Sequence, residues 1–296
     1  MKIVVAHEPA RLAAALRSRA PELEIVELRR DLDDAALADA EGLVAWRMPE
    51  GLVARLPRLA WVCAAAAGAE KVLVPELAPH VRVSRIVDPE QAAGIAQYVV
   101  LMALRHARDL AHYEALQRER RWERRPTPAA RHRAAVLGTG AMGGAIVRGL
   151  EAVGFAVTGW NRRSASALHT VLGAAELLVC ALPLTPETSG ILDASAFAAM
   201  PPGGYLVNVA RGAHVVEADL AHAVRSGHLA GAALDVQRHE PMPADDPLWD
   251  VPGITITPHI AAQSSLDVVA EQVVAAARAV AAGAEPPNAV DRSRGY

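Results

Sequence analysis

Short apolar runs alternate with amphipathic ones through the first hundred residues. KIVVAH (2–7), EIVEL (24–28), GLVAW (42–46), LAWVCAA (59–65) and VRVSR (81–85) have strand length and β-branched content. ARLAAALRSRA (10–20) and DDAALADA (33–40) carry apolar residues at helical spacing. Such alternation predicts a parallel sheet with helical crossovers. Residues 90–117 then read as one long helix, apolar in its first half and charged later. The proline- and charge-rich stretch 118–133 reads as a connector. A second alternating region follows, with strands expected in 134–140, 156–160, 177–183, 205–210, 230–236 and 254–258 and helices in 142–154, 194–200 and 216–227. A last apolar helix, 265–283, is expected to pack back on the first region. The fold class is therefore α/β: two doubly wound parallel-sheet domains, Rossmann-like or flavodoxin-like, with a cleft between them. The expected boundaries are 1–99 plus 263–296 for one domain and 100–262 for the other.

Composition narrows the classes. A chain of 296 residues suits two domains of ordinary size. A net charge of −3 argues against general affinity for nucleic acid. No apolar run approaches the roughly 18 residues of a membrane span, and MKIVVAH reads as a strand rather than a leader. Cys63 and Cys180 lie in apolar strand-like runs, as buried thiols do in a reducing compartment. A soluble cytoplasmic protein is expected, with no metal site.

The chemistry enters at 138–144, GTGAMGG. Gly138, Gly140 and Gly143 stand in G-x-G-x-x-G spacing between a strand and a helix, the context in which such a turn holds a pyrophosphate. No strand of the first region has such a turn. About 20 residues on, where an acidic side chain would accept from the ribose of NAD, the chain reads Asn161-Arg162-Arg163. A neutral amide and two guanidinium groups suit a 2′-phosphate, so NADP(H) is preferred and NAD(H) is the alternative. Further on, Arg211, Glu240 and His259 each sit where a strand runs into a turn. A guanidinium, a carboxylate and an imidazole brought together there suit a carbonyl that must be polarised and protonated.

LPLTPETSGIL, YLVNVARGAHVVE, GAALDV followed by EP, PLW, ITITPHIAA and the terminal VDRSRGY, in that order, resemble the D-2-hydroxyacid dehydrogenases, above all the glyoxylate/hydroxypyruvate reductase A branch. The resemblance covers nearly the whole chain. It implies reduction of a small 2-oxo acid to the 2-hydroxy acid. Arg211 would bind the carboxylate and keto oxygen, His259 would be the general acid/base, and Glu240 would orient the imidazole and favour its protonated form. It also implies cofactor contacts from Ala141, Met142, Leu182, Pro183 and Ala210 beside the glycines, with Asp235 accepting from the nicotinamide carboxamide and Asn208 supporting the loop before Arg211. Substrate contacts are expected from Trp46, Arg47, Ala67 and Gly68, where Ala66 and Glu70 depart from the family's Gly-Ala-Gly-x-Asp turn. A homodimer is implied, through helix 90–117 and its connector.

One stretch departs from the pattern. Between GWNRRS and LLVCALP the segment ASALHTVLGAAE has room for one helix, not for a helix, a strand and a second helix. The third strand of the nucleotide domain, an edge strand in the usual order, is expected to be missing. Two other readings compete. Formate dehydrogenase shares the architecture, but that branch pairs its histidine with Gln, so Glu240 speaks against it. A nucleotide-sensing scaffold, like the co-repressor relatives, would use the basic stretch 118–133 and Trp122 against a partner. The connector or dimer-interface reading is preferred.

Overall fold

A computed structural model describes residues 1–126 and 132–296; of the expected connector, 127–131 lie outside the described residues. The chain divides into two compact units, residues 1–88 with 264–296 and residues 89–263.

The first unit is a five-stranded sheet of β1 (Lys2–Val5), β2 (Glu24–Glu27), β3 (Gly42–Ala45), β4 (Trp61–Ala64) and β5 (Arg82–Arg85). Every pairing is parallel, in the order β2-β1-β3-β4-β5, the flavodoxin-like arrangement. Period-2 alternation sends Ile3, Val5, Val44 and Trp61 to one face and Val4, Leu43, Val62 and Val83 to the other. On the first face lie α1 (Pro9–Arg19) and α8 (Leu266–Ala281), where Leu12 and Leu16 share a core with Val269, Val273 and Val274. Ser265 caps α8 by accepting from Val268 N at 3.2 Å. The helix expected at 33–40 is only a single 3₁₀ turn, Asp34–Ala36. Asp33 accepts from Ala35 N, and so short a segment gains more by dropping Leu37 and Ala40 into the core than by extending the turn.

The second unit holds β6 (Arg133–Leu137), β7 (Ala156–Trp160), β8 (Leu177–Cys180), β9 (Gly204–Asn208), β10 (Leu229–Leu234) and β11 (Ile254–Ile256). They form one parallel sheet in the order β11-β10-β9-β8-β6-β7. Its helices are α2 (Pro89–Ala107), α3 (Leu110–Arg118), α4 (Ala141–Ala152), α5 (Leu168–Gly173), α6 (Ala194–Ala199) and α7 (Glu217–Arg225). Among the described residues no strand follows β7 on the outer side, and the expected trimming of the sheet is what the strand order contains. Between β7 and β8 the chain makes only a turn and α5, so Ala156, Thr158 and Gly159 of the edge strand are exposed.

By contacts the two units divide at 88/89, where 99/100 is expected from sequence. From its first turns α2 shares a core with β6 and α4, through Ile95, Val99, Val136 and Ile146. The long helix also breaks. α2 ends at Ala107 and α3 begins at Leu110, because Asp109 adopts a left-handed conformation (φ 54°), with Arg105 bonded across the corner to Glu114 at 2.7 Å.

At the amino-terminal side of this sheet His106 stacks on Tyr205, ring centroids 4.3 Å apart. Burial, with His132 nearby, pushes its pKa down to about 4. Between the ordinary value near 6.5 and that depressed one, the unfolded chain takes up a proton that the folded chain refuses. Stability therefore falls as pH drops through that window. The shift corresponds to a loss of about 3 kcal/mol. In His106→Phe, which retains an aromatic face, the difference between urea midpoints at pH 7.5 and pH 4.5 should shrink. An unchanged difference would assign the acid sensitivity elsewhere.

Candidate active site

A parallel sheet points the carboxyl ends of all its strands the same way, and ligands of such sheets bind beyond those ends. Every site residue expected within residues 89–263 follows one of them: the glycines after β6, Asn161-Arg162-Arg163 after β7, Leu182 and Pro183 after β8, Ala210 and Arg211 after β9, Asp235 and Glu240 after β10, and His259 after β11. Since β9, β10 and β11 are consecutive in the sheet, Arg211, Glu240 and His259 hang from three neighbouring strands.

His259 Nδ1 lies 3.0 Å from Glu240 Oε2, with both side chains partly open to solvent. That contact leaves Nε2 as the ring atom available to a ligand. Glu240 Oε1 accepts from Gln237 N at 3.1 Å. His259 has φ 56°, a conformation a non-glycine residue occupies only when its surroundings impose it. The imposing group is Asp235, 1% exposed. Its backbone carbonyl accepts from His259 N at 2.8 Å. Its carboxylate accepts from Thr257 Oγ1 at 2.6 Å and from Ile260 N and Ala261 N, both at 2.9 Å. Tyr98 of α2 is bonded to the same Thr257 hydroxyl at 2.7 Å.

The loop carrying Arg211 is equally tied. Asn208 donates to Arg211 O at 3.0 Å and accepts from Ala210 N at 3.1 Å. Arg211 Nη1 donates to Ala210 O at 2.7 Å. The buried His214 ring has Nδ1 3.2 Å from Arg211 N and 3.0 Å from Arg211 O, and Nε2 3.3 Å from Pro183 O. It thereby couples the loops after β8 and β9. His214, Gln237, Thr257 and Tyr98 were not among the residues singled out from sequence. Only His214, three residues after Arg211, left a local trace there.

The glycine turn packs closely on one side and is open on the other. A Cβ on Gly143 would lie 1.6 Å from Gly138 O, and one on Gly138, itself at φ +94°, 2.4 Å from Ala181 O. A Cβ on Gly140 would meet nothing within 4 Å. Two glycines are thus needed by the protein's own packing, while the third faces open space. There Gly140, with no side-chain cap, starts α4, and Ala141, Met142 and Gly143 form its first turn, a position that favours an anion. Asn161 Nδ2 donates to Thr139 Oγ1 at 2.9 Å, joining the loop after β7 to this turn.

Trp46, Arg47, Ala67 and Gly68 belong to the first unit and gather at the carboxyl edge of its own sheet, after β3 and β4. Lys71 Nζ sits 3.6 Å from the centroid of the Trp46 ring, and Arg85 Nη1 donates to Ala67 O at 3.1 Å.

Residues 100–261 match the family described as D-isomer specific 2-hydroxyacid dehydrogenase, NAD binding domain. The chain belongs to this family. A glyoxylate/hydroxypyruvate reductase A of Yersinia enterocolitica is 34% identical over 317 aligned residues, 100% of both chains. One from Serratia proteamaculans is 36% identical over 275, covering 87% of this chain and 88% of its own. Among solved structures, a D-isomer specific 2-hydroxyacid dehydrogenase from Xanthobacter autotrophicus Py2 in complex with NADPH and MES superposes with TM-score 0.91 at 35% identity, covering 100% of this chain and 99% of the other. An NADPH-dependent glyoxylate/hydroxypyruvate reductase from Sinorhizobium meliloti, in complex with NADP and sulfate, gives TM-score 0.91 at 32% identity with the same coverage. The chain is thus an NAD(P)-dependent oxidoreductase by family.

The glycine geometry separates two substitutions that look alike. Gly143→Ala should destabilise the fold by at least about 1–3 kcal/mol, since backbone must move. Gly140→Ala should cost less than about 1 kcal/mol yet abolish dinucleotide binding. Thermal melts with dinucleotide titrations check both; equal melting losses would refute the distinction.

Proposed function

We propose that this protein reduces glyoxylate or hydroxypyruvate to the 2-hydroxy acid, with NADPH as the preferred cofactor and NADH as the alternative. The observation that carries the reading is the His259–Glu240 pair, 3.0 Å apart, on strand ends adjoining the one that bears Arg211. The cofactor preference draws on the open Gly140, on Asn161-Arg162-Arg163 in place of an acid, and on relatives solved with NADPH or NADP.

A bound nicotinamide would supply hydride to the keto carbon; the chain's residues do the rest. The Arg211 guanidinium binds the substrate carboxylate and draws charge onto the keto oxygen, for which its planar fork is suited. His259 delivers a proton from Nε2 to that oxygen as it becomes an alkoxide, and takes it back in the oxidative direction. Glu240 holds Nδ1, fixing ring orientation and tautomer. Asp235, whose carboxylate already serves the 257–261 loop, positions His259 while retaining acceptor capacity for a carboxamide.

We also propose a homodimer. Leu101 on α2, Leu110 on α3 and Trp122 are exposed large apolar side chains along one segment, Trp122 at 94%. Two buried, unpaired thiols support a reducing, cytoplasmic setting. No helix among the described residues is long and apolar enough to cross a membrane.

In an assay of NADPH oxidation with glyoxylate, His259→Ala should lose about 10²–10⁴-fold in kcat while binding NADPH as before. An unaltered kcat would remove His259 from the chemistry. Trp122→Glu with Leu110→Glu should halve the mass measured by light scattering; a wild-type chain already monomeric at micromolar concentration would dispose of the dimer.

A further inference from the structure

The loops after β7 and β8 meet although their strands do not. In the sheet β6 stands between β8 and β7, and the loop that leaves β6 is the glycine turn. Arg162, after β7, nevertheless reaches Glu187, after β8, with Nη1 3.4 Å from Oε2. An ion pair thus joins the two loops that flank the turn, and Asn161, next to Arg162, bonds to Thr139 within the turn.

The two ends of this strap are held by different turns. Glu187 rides on a turn locked by buried hydroxyls: Thr188 Oγ1 donates to Pro183 O at 2.8 Å and accepts from Thr185 N at 2.8 Å, and Ser189 N donates to Thr185 O at 3.0 Å. The Thr185 hydroxyl beside it, with a smaller attraction from Arg162, holds its carboxyl below the usual carboxylate range, so it is fully charged at neutral pH. Arg162 stands on a four-residue turn closed by Ser164 N donating to Asn161 O.

We propose that Glu187 narrows the preference for NADPH by holding Arg162 in competition with the 2′-phosphate. The proposal rests on the reading of Arg162 as a 2′-phosphate partner. A phosphate at Arg162 must either take the guanidinium from Glu187 or lie beside a like charge. The neutral 2′-hydroxyl of NADH meets no such opposition and can donate to a carboxylate. Glu187 thus restrains NADPH binding and leaves NADH untouched or favoured. A site whose β7 end carries no acid still has one supplied from the neighbouring loop.

Titrations of NADPH and NADH, followed by calorimetry without substrate, test this in wild type, Glu187→Gln and Arg162→Ala. Glu187→Gln should tighten NADPH about two- to five-fold, the range of a partly exposed ion pair, with NADH unchanged or weakened. In the double variant that gain should vanish. NADPH affinity unchanged in Glu187→Gln, or both cofactors tightened equally, overturns the proposal while leaving Arg162 as a phosphate partner if Arg162→Ala weakens NADPH. If Arg162→Ala leaves NADPH affinity unaltered, the reading of Arg162 fails and the strap fails with it.

Discussion

Burying the Asp235 carboxylate is costly, and the second unit meets that cost with three donors from a five-residue loop: the Thr257 hydroxyl and the Ile260 and Ala261 amides. The arrangement works in both directions. The carboxylate is satisfied only if the loop after β11 folds back over β10, and the loop can hold His259 in a left-handed conformation only because the carboxylate and carbonyl of Asp235 bind on either side of it. Losing one such partner would strand buried groups at about 1–3 kcal/mol each. The position of the candidate acid is therefore a by-product of a folding constraint, and Tyr98 extends that constraint to α2.

A second constraint is topological. Parallel strands aim all their carboxyl ends to one edge, so residues scattered from 138 to 259 arrive together without any local encoding of proximity. Trimming the sheet at β7 leaves this intact, because the strand that is dropped belongs to the border. The glycine turn stays flanked on both sides, by β7 and β8, and Arg211, Glu240 and His259 stay on β9, β10 and β11.

Much of this was legible in the sequence for a physical reason: strand alternation, glycine spacing and the turn after each strand are local patterns. The apolar runs at β1–β11, the Gly138–Gly143 turn and the absent edge strand all follow from residues read in order. What escaped depended on partners distant in the chain. Periodicity continues through 108–109, so the corner at Asp109 could not be seen; the bond from Arg105 to Glu114 that accompanies it forms only after the turn exists. The 3₁₀ turn at 34–36 has helical spacing but too few residues to propagate. His214 is unremarkable until β8 and β9 lie side by side, and Glu187 until β8, β6 and β7 do.

The strand order also acts as a ruler. Neighbouring strands are about 4.8 Å apart, so the five steps from β11 to β7 span roughly 24 Å along the ligand-facing edge. A mononucleotide could engage the glycine turn or the Asn161 loop, but it would end well short of His259. Only an extended molecule of two joined nucleotides covers that distance, with its reactive ring at one end and its sugar-borne label at the other. On the proposed assignment, selection for the label at the Asn161 loop and the chemistry at His259 are separated by the width of the sheet, so that either can change without disturbing the other.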